Sequence, residues 1–218
     1  MIDLHTHTLF SDGELIPSEL AWRLEHMTYE AVAITDHADS STMDFIIPRI
    51  IKVASELNQV YALRVIPGIE LTHIPPKLIG PMVQRARKLG AQIVVIHGES
   101  IVEPVAPGTN LAGLKAGADI IAHPGFITRD EASLAADKGV YLELTARSGH
   151  SLTNGHVARM AQEAGAKLLL NSDAHAPGDL MEKGFAEKVA DGAGLPEGSL
   201  DNLLSNAREL VEKLGYLP

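Results

Sequence analysis

The chain has 218 residues, 45% of them hydrophobic, and its 18 Lys and Arg face 28 Asp and Glu for a formal net charge of -10. The length suits one sizeable domain with a real core, and the hydrophobic share excludes a disordered chain. Cysteine is absent, which excludes disulfides and thiolate metal sites. No apolar run approaches the ~18 residues of a membrane span, and the acidic balance argues against a general nucleic-acid binder. Asp3 and His5 interrupt any basic-then-apolar leader, so a cytoplasmic location is the default expectation.

MIDL reads as a first strand and runs at once into HTHTLFSDG, residues 5–13. A helix is expected near 17–28, with Pro17 in its first turn, where a missing N–H costs nothing. AVAIT is the second strand and leads to Asp36-His37, and a helix near 42–58 follows. RVIPGIEL is the third strand and carries Glu70 near its end; the next helix is expected near 81–89, with Pro81 in its first turn. From here the pattern is regular. In KLGAQIVVIHG, LKAGADIIAHPG, AADKGVYLELTA and AQEAGAKLLLNSDAH a helix-like stretch ends at a glycine, the expected left-handed cap, and passes to a short apolar run. QIVVI, DIIA, VYLEL and KLLL read as buried parallel strands. A last helix is expected near 199–214. The unit is a strand and a helix repeated about seven times, roughly 28 residues each. Such alternation implies a parallel sheet covered by helices. No linker or low-complexity stretch divides it, so one domain is expected over 1–218.

Chemistry sits at the strand ends. The first ends in His5 and His7, the second in Asp36 and His37, the third in Glu70, the fourth in His97, the fifth in His123, and the seventh in Asp173 and His175. Parallel α/β folds present the C-terminal ends of their strands to the ligand. Six of seven ends carrying ligand-type residues therefore favour a closed barrel, whose strand ends ring one mouth, over an open sheet. In HTH the two imidazoles fall on one side of an extended chain and can grip one ion. Taken singly, each residue has an ordinary reading. Asp12 before Gly13 suits a turn, His123 precedes Pro124-Gly125, and Glu70 could pair with an arginine. Together His5, His7, Asp12, His37, Glu70, His97, His123, Asp173 and His175 exceed the about four ligands one zinc-like ion takes. They suit two or three ions sharing a carboxylate, and imidazole with carboxylate fits Zn, Mn or Fe.

HTH…SDG, TDH, PGIE, the His97 strand end, HPG and SDAH together resemble the PHP (polymerase and histidinol phosphatase) family, and the resemblance runs from His5 to His175. It implies a distorted seven-stranded TIM-like (β/α) barrel, a trinuclear centre and phosphoester hydrolysis by a hydroxide bridging two ions. By that pattern His5, His7, Glu70 and Asp173 hold the first ion. Glu70 bridges to a second held by His97 and His123, and Asp12, His37 and His175 hold the third. A small phosphomonoester, as in histidinol phosphatases, is the expected substrate. A nuclease or nucleotide phosphodiesterase of the same family is the alternative, and a catalytically silent metal-binding regulatory module is an alternative of another class. An amidohydrolase-like enzyme is disfavoured, because no lysine ends a mid-barrel strand to supply a carbamylated bridge.

The sixth strand ends without a ligand, in LELTARSGH. Arg147, Ser148 and His150 are expected to form the substrate side of the mouth, with Glu143 and Thr145 facing the interior. Asp36 is expected to support a ligating histidine. His73, Glu99 and Arg129 are expected at the rim, and His26 and His156 on the surface.

Overall fold

A computed structural model describes residues 1–217; Pro218, the last residue of the expected domain, lies outside the described residues. The strands are β1 (Ile2–Thr6), β2 (Ala31–Ile34), β3 (His37–Ala38), β4 (Arg64–Leu71), β5 (Ile93–His97), β6 (Ile120–Ala122), β7 (Tyr141–Thr145) and β8 (Leu168–Asn171). They pair in parallel in the order β1-β2-β4-β5-β6-β7-β8, and β3 adds to β4. β3 pairs His37 with Glu70 in the register begun by Ile34 against Pro67, so it continues β2 after a break at Thr35-Asp36.

The sheet closes on itself between β1 and β8. Thr6 bridges Ala174 in parallel, Asp173 N–H donates to His5 O at 3.0 Å, and His7 N–H donates to Ala174 O at 2.9 Å. Below this, side chains complete the seam. Asn171 Oδ1 accepts from Leu4 N–H at 2.9 Å, and Asp3 Oδ1 accepts from Ser172 N–H at 3.2 Å. The result is the expected nearly closed, distorted barrel of seven parallel strands.

Around it lie α1 (Pro17–His26), α2 (Met43–Leu57), α3 (Pro76–Leu89), α4 (Thr109–Ala116), α5 (Arg129–Lys138), α6 (Asn154–Ala164), α7 (Lys183–Gly192) and α8 (Ser199–Lys213). The four glycines read as caps, Gly90, Gly117, Gly139 and Gly165, all adopt left-handed backbone after α3, α4, α5 and α6. α3 differs from expectation. Pro76, not Pro81, opens it, and Pro81 lies inside. The preceding Gly80 has no Cβ for the proline ring to strike, which eases the usual penalty before proline.

Period-two alternation sorts the strand residues into two layers. Val94, Ile96, Ile121, Leu142, Leu144 and Leu170 face the helices within the larger core. Ile66, Ile93, Val95, Ile120, Tyr141 and Leu169 belong to a second cluster, together with Ile2, Leu4 and α8 residues Leu210 and Val211. On β4, β5 and β7 the inward positions beyond this cluster are Glu70, His97 and Glu143, all buried. The barrel thus fills with hydrocarbon below and with polar groups above. Among the described residues, no helix is long and apolar enough to cross a membrane.

Candidate metal centre

All nine residues of the expected ligand set converge at the C-terminal mouth. They fall into overlapping groups with mutually close donor atoms: His5, His7 and Glu70; His5, His123 and Asp173; Glu70, His97 and His123; and His7, Asp12, His37 and His175. The last group adds His7 to the three residues expected at a third ion. Glu70 is central. Its Oε1 lies 3.4 Å from His5 Nε2 and 3.9 Å from His123 Nε2, and its Oε2 lies 2.5 Å from His37 Nδ1 and 3.8 Å from His7 Nε2. Asp173 Oδ1 lies 3.1 Å from His7 Nε2, and His175 Nε2 lies 3.2 Å from Asp12 Oδ1.

Buried atoms without partners mark what the cluster is built for. His5 Nε2, both ring nitrogens of His7, His123 Nδ1, Glu70 Oε1 and Asp173 Oδ1 are buried and make no hydrogen bond. An unmet buried polar atom costs roughly 1–3 kcal/mol, so this many converging in one place fits a bound cation. Lone pairs on neutral imidazole and carboxylate, with no thiolate, fit divalent Zn, Mn or Fe. Burial, reinforced by neighbouring imidazoles, holds His7 and His123 well below the usual histidine range and so keeps them neutral. Burial pushes the Asp173 carboxyl up to about 7, against the pull of His5 and with the help of Glu70 and Glu143. Burial pushes the Glu70 carboxyl up as well, but His37, His5 and His97 outweigh it and hold it well below the carboxylate range.

The surroundings fix these side chains. Glu143 Oε1 contacts His5 Nδ1 at 2.8 Å and accepts from Asn171 Nδ2 at 2.8 Å, while its Oε2 accepts from His123 N–H at 3.0 Å. With Nδ1–H directed to Glu143, His5 Nε2 is left as a free donor atom. His97 Nδ1 contacts Gly98 O at 3.2 Å, and His175 Nδ1 contacts Asp173 O at 2.9 Å, so both also present Nε2. His123 and Asp173 hold left-handed φ values of 27 and 54, uncommon for residues other than glycine. The close-packed turn after His123 demands Gly125: a Cβ there would meet Glu99 O at 1.9 Å.

Asp36 does not support a histidine as expected. Its carboxylate accepts from Thr8 N–H at 2.7 Å, Thr8 Oγ1 at 2.7 Å and Ser11 Oγ at 2.8 Å, so it shapes the loop that carries Asp12. His26 is exposed as expected, but His156 is half-buried, with Nε2 at 2.7 Å from Ile127 O. Arg129 is exposed at the start of α5.

Arg147, Ser148 and His150 line a cleft of about 470 Å³ beside the cluster, with Glu103, Asp179 and Phe185 among the other walls. Arg147 is half-buried; its Nη1 donates to Asp173 O at 3.3 Å, and its Nε lies 3.8 Å from Asp173 Oδ2. Glu103 was not legible as a participant. It sits in an aperiodic loop, and only the folded chain shows that three histidines meet its carboxylate.

Fold and site together define a class: a nearly closed parallel barrel with a histidine-carboxylate cluster at its C-terminal mouth. The chain belongs to the PHP domain family, whose model matches residues 3–214. It is 48% identical to an uncharacterized protein of Methanocaldococcus jannaschii over 215 residues, covering 97% of this chain and 99% of that one. It is 27% identical over 193 residues to the DNA polymerase/3'-5' exonuclease PolX of Bacillus subtilis, which covers 79% of this chain and 34% of that protein. Its fold is similar to that of a histidinol phosphate phosphatase from Lactococcus lactis, solved with zinc, L-histidinol and phosphate. The TM-score is 0.61 at 16% identity, over 99% of this chain and 94% of that one.

Proposed function

We propose that this protein is a metal-dependent phosphoesterase that hydrolyses a small phosphomonoester in the cytoplasm. The observation that carries the reading is the set of partnerless buried nitrogens and oxygens opening onto a cleft lined by Arg147. His5, His7, Glu70 and Asp173 would hold a first ion, Glu70, His97 and His123 a second, and Asp12, His37 and His175 a third. Bound divalent ions supply Lewis acidity toward phosphoryl oxygens and activate water near neutral pH. The chain's own residues do the rest. Glu143 keeps the His5 proton on Nδ1 and so directs Nε2 inward. Arg147, at the cleft wall, offers a planar fork that takes two phosphoryl oxygens at once. Ser148 and His150 face the organic part of the substrate. The zinc and phosphate in the Lactococcus phosphatase of the same fold support the choice of ligand and substrate class.

The likeness to PolX favours a second reading, a nuclease or nucleotide phosphodiesterase. The net charge of -10 weighs against long nucleic acid as substrate. One experiment tests both: elemental analysis of the purified protein, followed by a screen of phosphorylated metabolites and oligonucleotides with and without chelator. The expected outcome is two to three ions per chain and chelator-sensitive release of phosphate from a metabolite. Oligonucleotide cleavage alone would shift the assignment to the second reading. Protein that carries metal yet hydrolyses neither class would leave the silent metal-binding module, and protein that neither carries nor takes up metal would overturn all three.

A further inference from the structure

Beside the nine-residue set, and sharing His97 with it, a second group of side chains meets at the mouth. Glu103 lies between β5 and α4, in a loop whose base is clamped. Glu99 Oε1 accepts from Gly108 N–H at 3.0 Å and Asn110 N–H at 2.9 Å, and Asn110 Oδ1 accepts from Glu99 N–H at 3.1 Å. From this base the Glu103 carboxylate reaches three imidazoles. Its Oε2 lies 3.2 Å from His73 Nε2 and 3.2 Å from His97 Nε2, and its Oε1 lies 3.4 Å from His150 Nε2. An ion with bonds of about 2.1 Å in tetrahedral geometry sets its donors ~3.4 Å apart, close to these spacings. His150 is 6% exposed, and its Nδ1 has no partner. His73 adopts a left-handed φ of 53, and its ring stacks on that of His97 with centroids 5.1 Å apart.

We propose that His73, His97 and Glu103 form an outer cation site, through which a zinc or manganese ion reaches the inner position of Glu70, His97 and His123. The inference rests on the reading that those three inner residues hold an ion. Imidazole and carboxylate donors suit both metals. His97 spends Nδ1 on Gly98 O, so its one remaining nitrogen serves one position at a time. The side chains of His73 and Glu103 are 44% and 36% exposed, whereas those of His123 and Glu70 are 1% and 0% exposed. An arriving ion therefore meets the outer donors first, and His97 carries it across. His150, facing the second carboxylate oxygen, keeps Glu103 turned toward the site.

The test is metal uptake by chelator-stripped protein, with Zn²⁺ or Mn²⁺ alone as the probe and an indicator chelator reporting the free ion. His73→Gly, which suits the left-handed backbone, and Glu103→Gln should each slow uptake by about tenfold, the scale on which losing a metal-site partner acts. The final number of ions should be unchanged. Uptake at the native rate in both variants overturns the proposal. In a second arm, His123→Ala dismantles the inner position and leaves His97 to the outer one. That variant should retain one zinc more than the His123→Ala, His73→Gly double variant, and equal zinc in the two would also overturn the site. Neither arm reads hydrolysis. A native protein that loads metal yet hydrolyses nothing counts against the proposed activity and not against this site.

Discussion

The lower and upper halves of the barrel are lined by the same strands and obey opposite rules. On β5 the inward residues run Ile93, Val95, His97; on β4 Ile66 precedes Glu70; on β7 Tyr141 precedes Glu143; and on β8 Leu169 precedes Asn171. Below, hydrocarbon packs on hydrocarbon, with the Tyr141 hydroxyl as a polar exception. Above, buried donors and acceptors lack partners. Stability and chemistry are therefore separated along the barrel axis, within single strands. The lower half contributes the burial that lets the upper half tolerate its unmet polar groups.

The comparison can be broken first at its polar end. Glu70 faces four histidines, so Glu70→Gln should reduce metal content and lower hydrolysis by orders of magnitude. Circular dichroism should stay native, because the apolar layer is untouched. Near-normal turnover would show that Glu70 bridges nothing. At the apolar end the effects should invert. Leu169 is fully buried, and Leu169→Ala should cost about 2–5 kcal/mol in urea unfolding while the ion count holds. A loss of metal with no loss of stability would erase the division between the halves.

Asp3 sharpens the comparison, because it is a fully buried carboxylate on β1, two residues before His5, paired with Val32 of the helix-facing core. Burial raises it from 3.8 to about 6, in spite of hydrogen bonds from Ser172 and His5. The folded state then holds that proton more tightly than the unfolded chain does. Stability from this group is full below about pH 4, falls as pH rises to about 6, and stays reduced above. Asp3→Asn should flatten that fall, which is worth ~3 kcal/mol, in unfolding curves taken across the window. A native-like pH slope in the variant would place the titration elsewhere. The smallest expected effect is at the cleft wall. Arg147→Ala should keep its ions and lose roughly one to two decades of kcat/KM, the scale of ~1.5–3 kcal/mol for a charged hydrogen bond. Arg147→Lys should recover part, since ammonium lacks the planar fork. Full kcat/KM in Arg147→Ala would move the phosphate contact to another residue.

Much of this architecture was legible in the chain itself. RVIPGIEL matches β4 over Arg64–Leu71, and each glycine placed after a helix adopts the expected cap. Both signals are local, set by periodicity and by a single residue's backbone freedom. The convergence of the strand-end residues, with Asp12 on the loop after β1, was legible for a related reason: parallel closure brings all C-terminal ends to one mouth. What escaped depends on contacts between loops. Pro75-Pro76 reads as a turn, which hid the true start of α3. β3 is two residues long and draws its register from β4. The Glu143 contacts to His5, His123 and Asn171 join three other strand segments, and no spacing within LELT encodes them. The meeting of Glu103 with His73 and His150 likewise requires three separate loops to be in place.

The β1–β8 seam has a consequence in time as well as in space. β1 leaves the ribosome before the other strands, yet its hydrogen bonds to Asn171, Asp173 and Ala174 await a segment some 170 residues later. His5 and Asp173, 3.7 Å apart in the folded chain, cannot meet while the nascent polypeptide lacks β8. Until that segment is made, one edge of β1 lacks the partner it has in the folded chain. Closing so long a loop is a slow, late event. A polypeptide released before β8 therefore keeps an open strand edge and lacks Asp173, so it can neither close the barrel nor assemble the centre.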